Sequence, residues 1–319
     1  MTGHFLVVGE TLVDLVPAGG DDDVFVRRIG GGPTNVAAGL ARLDNAPLLW
    51  SCLGDDPMAA FLRRRLDELG LAGPYVERAP DSKTTLAHVT HDGAGDRTFT
   101  FYRERPADVH LSVGAVPDEQ LAKLDWVVVG GIALATDRAR TAILELLERA
   151  TSAGCTVVYD PNARPSLWTD EPFERTAREV LEYTDIVCGS VADCRTAGFD
   201  GETPAALAQS LLSTGVHTVV LTQGVNGSLL RATANSPVGP TAIDHPGYSV
   251  SVTDTTGAGD GFLAGLLDGI KGGADDPWRW LDRANAAGAL TTTARGAVSA
   301  FPNATEIETL QKKQSIGRR

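Results

Sequence analysis

The residues best suited to chemistry stand at 254–260, where the sequence DTTGAGD sets small residues before a carboxylate. Apolar side chains recur at three- and four-residue spacing over 258–270, which predicts an amphipathic helix beginning at this point. The N–H groups of a first helical turn lack intrahelical partners and can hold an anion such as a phosphate. The residues that would hold it are Gly257, Ala258 and Gly259. A carboxylate beside that anion, at Asp260, suits a base that deprotonates an attacking hydroxyl, so the segment predicts phosphoryl transfer to an alcohol.

A glycine-rich turn before a helix is common, and on this segment alone Asp260 could serve only the helix dipole. A second segment of the same kind, GGGPTN at residues 30–35, precedes another helix of small residues at 36–43. Together the two segments resemble the paired signatures of the PfkB (ribokinase-like) family of carbohydrate kinases, in the family's order and spacing. The stretch 254–265 fits the second of these signatures.

Short apolar runs alternate with helical patterns along the chain and show no polar alternation of their own. Strands that are buried on both faces have this character, which indicates a largely parallel sheet flanked by helices. The runs are Phe5–Val8, Leu48–Cys52, Trp126–Val129, Thr156–Tyr159, Ile186–Cys188 and Val219–Leu221. The family resemblance implies a ribokinase-like three-layer α/β sandwich with a mainly parallel central sheet, plus a small antiparallel β lid. We therefore expect one domain over residues 1–319, with lid segments at about 11–32 and 83–106 over the sugar site.

Three segments interrupt the alternation, at 24–29, 84–91 and 97–103. They are typical of strands in a small antiparallel sheet, joined in part by a glycine-containing turn at 92–96. Taken alone they could form an edge hairpin on the main sheet. The resemblance implies a lid over the sugar, which in many members also clasps a second subunit, so a homodimer through the lid stays open. A lid suits a kinase because water would otherwise take the phosphoryl group.

Composition narrows the class of protein. The chain has 319 residues, with 43% hydrophobic and 22% charged, as in ordinary soluble globular proteins. Its net charge of −13 argues against a nucleic-acid or membrane partner. It does not argue against ATP, because ATP binds as a complex with Mg²⁺ and contacts local helix N-termini. There is no long apolar run and no targeting pattern, so we expect a cytoplasmic protein. The four cysteines form no CxxC pair and are expected to be reduced core thiols.

The acceptor side is predicted at the first glycine-rich turn. By resemblance, Asp14, Gly31, Gly32 and Asn35 hold the sugar, although Asp14 could be a solvated strand end and Asn35 a helix cap. The segment FTFYRERPAD at 99–108 is similar to the FYR…AD segment of fructokinases. The resemblance implies that Arg103 reaches from the lid toward the substrate, and the alternative is a solvated lid arginine.

A further arginine is predicted on the phosphate side. The segment DPNARPSLW at 160–168 looks like the DPNLR…LW segment of fructokinases and 2-keto-3-deoxygluconate kinases. Arg164 is then a candidate to neutralise phosphate charge during transfer, because a guanidinium binds phosphate oxygens in a bidentate way. The alternative is a surface ion pair.

The nucleotide site is predicted at the carboxyl end of a buried strand, where open α/β sheets bind ligands. The sequence has no GxxxxGK[ST] motif, so the site is not a P-loop. Instead Thr222, Gly224 and Gly227 resemble the family's T-x-G-x-x-G nucleotide loop. Asn285 matches a family position near adenine, and the alternative is a mid-helix residue that faces solvent.

The metal site departs from the broader family pattern. Ribokinase-type members carry an N-x-x-E motif that organises Mg²⁺, whereas this chain has Ser190-Val191-Ala192-Asp193. Asp193 keeps a carboxylate that is one methylene shorter, and could reach the metal through water. Activation by K⁺, seen in part of the family, would use backbone near Asp254 and Gly296, and the sequence leaves it open.

The leading hypothesis is an ATP-dependent kinase in which Asp260 deprotonates a primary hydroxyl of fructose, giving fructose 6-phosphate. The nearest alternative enzyme is 2-keto-3-deoxygluconate kinase, which would bind the carboxylate of its substrate through arginines. Other sugar or nucleoside kinases of the family, and a sugar-binding module without turnover, are further alternatives. A dinucleotide-dependent oxidoreductase would need GxGxxG after the first strand, and the residues GET at 9–11 do not supply it.

Overall fold

The computed structural model describes residues 4–18, 21–91, 97–168, 173–272 and 276–314, so the predicted turn at 92–96 lies outside the described residues. The strands are β1 (Phe5–Val8), β2 (Leu12–Ala18), β3 (Asp21–Gly30), β4 (Leu48–Leu53), β5 (Val76–Arg78), β6 (Leu86–His91), β7 (Arg97–Tyr102), β8 (Trp126–Gly130), β9 (Thr156–Asp160), β10 (Ile186–Ser190), β11 (Thr218–Thr222), β12 (Ser228–Ala232) and β13 (Thr241–His245). The α-helices are α1 (Gly32–Arg42), α2 (Pro57–Glu68), α3 (Asp118–Leu121), α4 (Asp137–Ser152), α5 (Phe173–Leu181), α6 (Val191–Thr196), α7 (Pro204–Leu212), α8 (Ala258–Lys271), α9 (Pro277–Thr291) and α10 (Ala304–Lys313).

Nine strands form the central sheet in the order β13-β12-β11-β10-β9-β8-β1-β4-β5. The pairs from β11 through β5 are parallel, and all the predicted buried runs are strands of this part of the sheet. The strands β12 and β13 join the edge in antiparallel pairs and were not predicted. β12 is mostly buried between its neighbours, whereas the edge strand β13 alternates exposed and less exposed residues, as expected where one face is solvated. The prediction of a mainly parallel sheet is confirmed.

Helices cover both faces of the central sheet. Because successive side chains of a strand point to opposite faces, Leu6 and Val8 pack with α4, α5 and α7, while Phe5 and Val7 pack with α1, α8 and α9. The result is the predicted three-layer sandwich. All four cysteines are buried and unpaired. No helix within the described ranges has both the length and the apolar character of a membrane span.

Four strands form a second sheet, in the order β3-β2-β6-β7, which we call the lid. The pairs β2–β3 and β6–β7 are antiparallel, but β2 and β6 are parallel, so the prediction of a purely antiparallel lid is wrong for the central pair. The reason is connectivity, since β6 enters the lid only after the chain has passed through α1 and α2. Asp14 was predicted to follow a strand, and it lies within β2 with 9% of its surface exposed.

The lid joins the central body through buried polar contacts at its base. Asp56 caps α2 by accepting a hydrogen bond from the N–H of Ala59 (2.8 Å), and it also accepts from the N–H (2.7 Å) and hydroxyl (2.8 Å) of Thr84. Of the apolar lid residues that could serve a dimer, Val24 and Val26 are 50% and 45% exposed. Ile29 is buried against the body, so it is unavailable to a partner. The homodimer stays a prediction.

Small residues let α1 and α8 approach closely. A Cβ added to Gly39 of α1 would lie 2.7 Å from the Cβ of Ala264 in α8, which is shorter than real contacts allow. The two helices therefore pack almost backbone to backbone. This packing brings their N-terminal turns, which carry the two glycine-rich segments, to one place.

Substituting Gly39→Val should force α1 away from α8. We expect the free energy of unfolding in urea to fall by about 1–3 kcal/mol, the usual cost of overpacking. The matched control is Gly73→Val, because nothing lies within 4 Å of a Cβ added there. Equal stability of the two variants would show that the close helix contact is not a constraint.

Candidate active site

A cleft of about 420 Å³ lies between the lid and the carboxyl ends of the central strands. Open α/β sheets bind ligands at this edge, because the loops that leave parallel strands converge there. The cleft collects most of the predicted site residues. They are Asp14, Gly31, Gly32, Asn35, Arg164, Asp193, Thr222, Gly224, Gly257, Ala258, Gly259 and Asp260.

The N-terminus of α8 forms one wall of the cleft. Gly257 precedes the helix in a left-handed conformation (φ 76°), and a Cβ there would lie 2.5 Å from the Cβ of Ala297. A side chain is therefore excluded at this position. The N–H of Ala258 donates to Thr255 O (3.3 Å), whereas the N–H groups of Gly259 and Asp260 donate to no acceptor in the described part of the chain. Free N–H groups at a helix N-terminus are suited to an anion, so the geometry is compatible with the anion site that was predicted here.

A side-chain hydrogen bond joins the two glycine-rich segments. The amide nitrogen of Asn35, in the first turns of α1, donates to Asp260 Oδ2 at 2.8 Å. Asn35 is 5% exposed, and its Oδ1 is buried without a hydrogen-bond partner among the described residues. Buried amide oxygens are normally satisfied, so this atom is suited to accept from a ligand. Asn35 is therefore a side chain of the cleft as well as part of a helix start.

The pKa of the Asp260 carboxyl is higher than that of an ordinary aspartate. Burial raises its pKa from 3.8 to about 6, while the hydrogen bond from Asn35 and the charge of Arg164 limit the rise. The charge of Asp193 acts in the raising direction. A carboxylate with a pKa nearer to neutrality is a stronger base than an exposed one, and it is still ionised at pH 7.

Two further carboxyl groups face Arg164 across the cleft. Burial raises the pKa of Asp160 well above its ordinary value, and the charges of Asp260 and Asp193 raise it further. Asp193 is held in place because its Oδ1 accepts from the N–H of Ala163 (3.1 Å) and its Oδ2 accepts from the hydroxyl of Ser190 (2.6 Å). Ser190, which stands where the family has an amide, thus orients the shorter carboxylate. Carboxylates that repel one another in a confined space favour a cation between them.

The chemistry of this set fits a magnesium ion better than a zinc ion. Among the described residues, no three His, Cys, Asp or Glu side chains are grouped closely enough to hold a metal by themselves. Mg²⁺ is commonly held by one or two carboxylates together with phosphate oxygens and water. Asp160 and Asp193 are the carboxylates that the cleft offers for such a site.

The part of the cleft where the sugar was predicted to bind is formed by the turn before α1 and by the lid. Gly31 has φ 104°, and a Cβ there would lie 2.4 Å from Glu10 O, so only glycine fits. A Cβ on Gly32 would lie 2.2 Å from Asn162 Nδ2 and 3.6 Å from Asp260 Oδ1. The turn thus runs directly beside the carboxylate. Phe99 and Phe101 of the lid line the opposite side of this space.

Arg103 is not among the residues that line the cleft. Its Nη2 donates to Asp108 Oδ2 at 2.9 Å, and the two side chains are 12% and 1% exposed. Asp108 Oδ1 also accepts from the hydroxyl of Thr85 at 2.8 Å. A buried carboxylate needs such a partner, and we find Arg103 engaged at the base of the lid. The prediction that it reaches toward the substrate is not what the structure shows.

Two residues predicted on the nucleotide side also lie away from the cleft lining. Gly227 packs against the backbone after β13, where a Cβ would lie 2.0 Å from His245 O. Asn285 is 6% exposed and donates to the hydroxyl of Ser228 and to Leu281 O, both at 2.7 Å. It is therefore neither a solvated residue nor a cleft residue, and it ties α9 to β12.

Glu10, Asp160 and Asn162 are among the cleft residues that were not predicted as site residues. Asn162 has φ 37°, and its N–H donates to Asp160 Oδ1 at 3.1 Å. This local turn explains why a non-glycine residue tolerates the left-handed conformation. A signal was present in the sequence, because polar residues directly after a buried strand stand at the ligand-binding edge.

Comparison with known sequences agrees with this geometry. The model of a family described as "pfkB family carbohydrate kinase" matches residues 3–304. The fructokinase of Vibrio alginolyticus is 31% identical over 309 residues, which cover 94% of this chain and 96% of that protein. The aminoimidazole riboside kinase of Salmonella typhimurium is 30% identical over 322 residues, covering 98% of this chain and 96% of that protein.

Comparison with solved structures gives the same result. Fructokinase from Vibrio cholerae, solved with fructose, ADP and calcium ion, has a TM-score of 0.85 and is 28% identical, with 97% of this chain and 99% of that chain covered. Fructokinase from Xylella fastidiosa with bound ATP has a TM-score of 0.84 and is 27% identical, with 99% and 100% covered. These likenesses extend over the whole fold, including the lid.

The raised pKa of Asp260 predicts a stability cost at neutral pH. Because the folded pKa is about 6 and the ordinary value is 3.8, the folded protein binds the proton more tightly, and stability falls as pH rises from about 4 to about 6. The substitution Asp260→Asn removes the ionisable group and therefore this pH-dependent loss of stability. We expect the variant to exceed the natural protein by about 1–3 kcal/mol in the free energy of unfolding at pH 7, and by little at pH 4.

Urea unfolding of both proteins at each pH measures this difference. The matched control is Asp200→Asn, which removes the same charge from an exposed position. A stability difference that does not change with pH would contradict the raised pKa of Asp260.

Proposed function

Because the chain belongs to the pfkB family of carbohydrate kinases, we propose that it transfers the γ-phosphoryl group of ATP to a primary hydroxyl of fructose, giving fructose 6-phosphate. One observation carries the catalytic part of this proposal, namely the 2.8 Å hydrogen bond between Asn35 and Asp260. It joins the turn that would hold the sugar to the helix N-terminus that would hold the transferred phosphoryl group. Asp260 lies at the junction of the two.

Asp260 acts as the base in this mechanism. The hydroxyl oxygen of the sugar forms a bond to the γ-phosphorus, the bond between that phosphorus and the oxygen of ADP breaks, and the hydroxyl proton passes to the carboxylate. Asn35 holds one carboxylate oxygen, which leaves the other free to accept the proton. The buried Oδ1 of Asn35 can accept a hydrogen bond from a second sugar hydroxyl.

In this mechanism the phosphate groups of ATP contact the N-terminus of α8 and Arg164. The free N–H groups of Gly259 and Asp260 stabilise negative charge that develops on the transferred group. Arg164 lies on the same cleft and offers a guanidinium to phosphate oxygens. Asp160 and Asp193 are the residues that would hold Mg²⁺, which when bound neutralises charge on the phosphate oxygens. Thr222 and Gly224, at the end of β11, would contact the nucleotide.

The charges of the cleft favour a neutral sugar over a sugar acid. Besides Glu10, the acidic residues that line it are Asp14, Asp160, Asp193 and Asp260. Among the residues that line this cleft in the described part of the chain, Arg164 is the only lysine or arginine. Arg103 could have bound a substrate carboxylate, but it is paired with Asp108. This pairing supports fructose over 2-keto-3-deoxygluconate as the acceptor, and several of the relatives are fructokinases.

Substituting Asp260→Asn should abolish turnover and leave fructose binding within about threefold, since the amide cannot take the proton but keeps the hydrogen bond to Asn35. The measurements are ADP release and fructose binding by calorimetry. In the natural protein, kcat/KM should fall as pH is lowered through about 6, because protonation removes the base. Substantial turnover by the variant would exclude Asp260 as the base.

The acceptor is tested with a panel of sugars in the presence of ATP and Mg²⁺. The panel contains fructose, 2-keto-3-deoxygluconate, ribose, adenosine, aminoimidazole riboside and fructose phosphates, and ADP release is measured for each. We expect fructose to give the highest kcat/KM. A response only to the sugar acid would mean that Arg103 leaves Asp108 on binding. If no compound of the panel causes ADP release but fructose still binds, a binding module without turnover would be favoured.

A further inference from the structure

Glu10 follows β1 and lies directly beneath the turn that begins α1. Its side chain is fully buried. Its Oε1 accepts a hydrogen bond from the N–H of Gly32 at 3.0 Å, and its carbonyl accepts from the hydroxyl of Thr34 at 3.0 Å. Gly31 packs against the same carbonyl so closely that a Cβ would lie 2.4 Å away. Glu10 thus contacts Gly31, Gly32 and Thr34, which belong to the segment that is proposed to bind the sugar.

The surroundings of Glu10 do not suit a negative charge. Its Oε2 is buried and has no hydrogen-bond partner among the described residues. The charged groups that act on it are Asp108, which opposes ionisation, and Arg103, which favours it. Arg103 is already paired with Asp108, so it does not serve as a counter-ion for Glu10. An ionised carboxyl in this position would be a buried charge with one hydrogen-bonded oxygen and no ion-pair partner of its own, which is a costly arrangement in a protein.

We propose that Glu10 is a positioning residue for the acceptor sugar, which holds the Gly31–Gly32 turn and the start of α1 as a neutral carboxylic acid. The chain of contacts is short. Glu10 holds Gly32, the N–H of Asn35 donates to Gly31 O at 2.8 Å, and the amide of Asn35 holds Asp260. A shift of the turn would therefore move both the sugar-binding groups and the partner of the base.

The proposal gives the sugar site a pH dependence of its own. Burial raises the pKa of Glu10 to about 8, so the neutral form is the main one at pH 7 and is lost in mildly alkaline solution. The resulting charge would repel Asp108 and draw Arg103 away from it. The turn would lose its fixed position, and sugar binding would weaken while ATP binding would change little.

The first test is independent of activity and compares Glu10→Gln with the natural protein by thermal unfolding at several pH values. A carboxyl with a raised pKa lowers stability as pH rises from its ordinary value of 4.5 to about 8. We therefore expect the melting temperature of the variant, relative to the natural protein, to increase steadily between pH 5 and pH 8. The matched control is Glu182→Gln, at an exposed position, which should show no such trend. A constant difference between Glu10→Gln and the natural protein would overturn the neutral state.

The second test measures KM for fructose and KM for ATP from pH 7 to pH 9.5, and it rests on the proposed function. In the natural protein KM for fructose should rise above pH 8. Glu10→Gln keeps the acceptor for Gly32 and cannot ionise, so its KM for fructose should stay flat. Glu10→Leu removes the acceptor and should raise KM for fructose about tenfold at pH 7, the effect of one buried hydrogen bond.

Two results would overturn the positioning role. One is an equal alkaline rise of KM for fructose in the natural protein and in Glu10→Gln. The other is an impairment of Glu10→Gln as large as that of Glu10→Leu, since rescue by the amide is what the role requires. Failure of the proposed function has a different signature, because a protein that does not phosphorylate fructose would still show the pH-dependent stability difference.

Discussion

The cleft depends on one electrostatic constraint, which is that several acidic side chains line it together with a single guanidinium, that of Arg164. Glu10, Asp160 and Asp260 all have pKa values raised by burial, and Asp160 is raised further by its acidic neighbours. The protein meets this constraint with backbone dipoles and fixed hydrogen-bond donors rather than with further cations. Such an arrangement disfavours bound anions that bring no cation with them, and it favours a nucleotide that carries Mg²⁺.

The fold makes this crowding unavoidable. Parallel strands place their carboxyl ends at one edge, so the polar residues after β1, β9, β10 and β11 must converge. The contact of α1 with α8 then sets two helix N-termini against the same space, where the N–H of Gly32 donates to Glu10 and the unpaired N–H groups of α8 partly balance the acidic side chains. The small residues at that contact therefore contribute to the electrostatics of the site as well as to packing. Packing and charge are not independent properties of this protein.

Much of the architecture could be predicted from the sequence because its signals are local. Buried runs such as Phe5–Val8 and the helix after Gly257 need only their own residues to be recognised. The two glycine-rich segments also identified the cleft. In contrast, β2 was not predicted as a strand, because its sequence LVDLVPA shows no polar alternation and carries an aspartate and a proline. The parallel pairing of β2 with β6 follows from a connection that local patterns do not reveal.

The residues that were predicted in the site but lie outside the cleft lining share a physical cause. Each is held by a contact that no sequence motif specifies. Asn285 donates to Ser228, far away in the sequence, and Gly227 is needed for its contact with the backbone after β13. Arg103 lies close in sequence to Asp108, but its engagement depends on Asp108 being buried and already bound to Thr85. The charges of Asp108 and Arg103 also act on Glu10, so the base of the lid and the floor of the proposed sugar site are electrostatically coupled. A substitution that changes the charge in one of these two parts should therefore change the electrostatic environment of the other, even though their hydrogen bonds are separate.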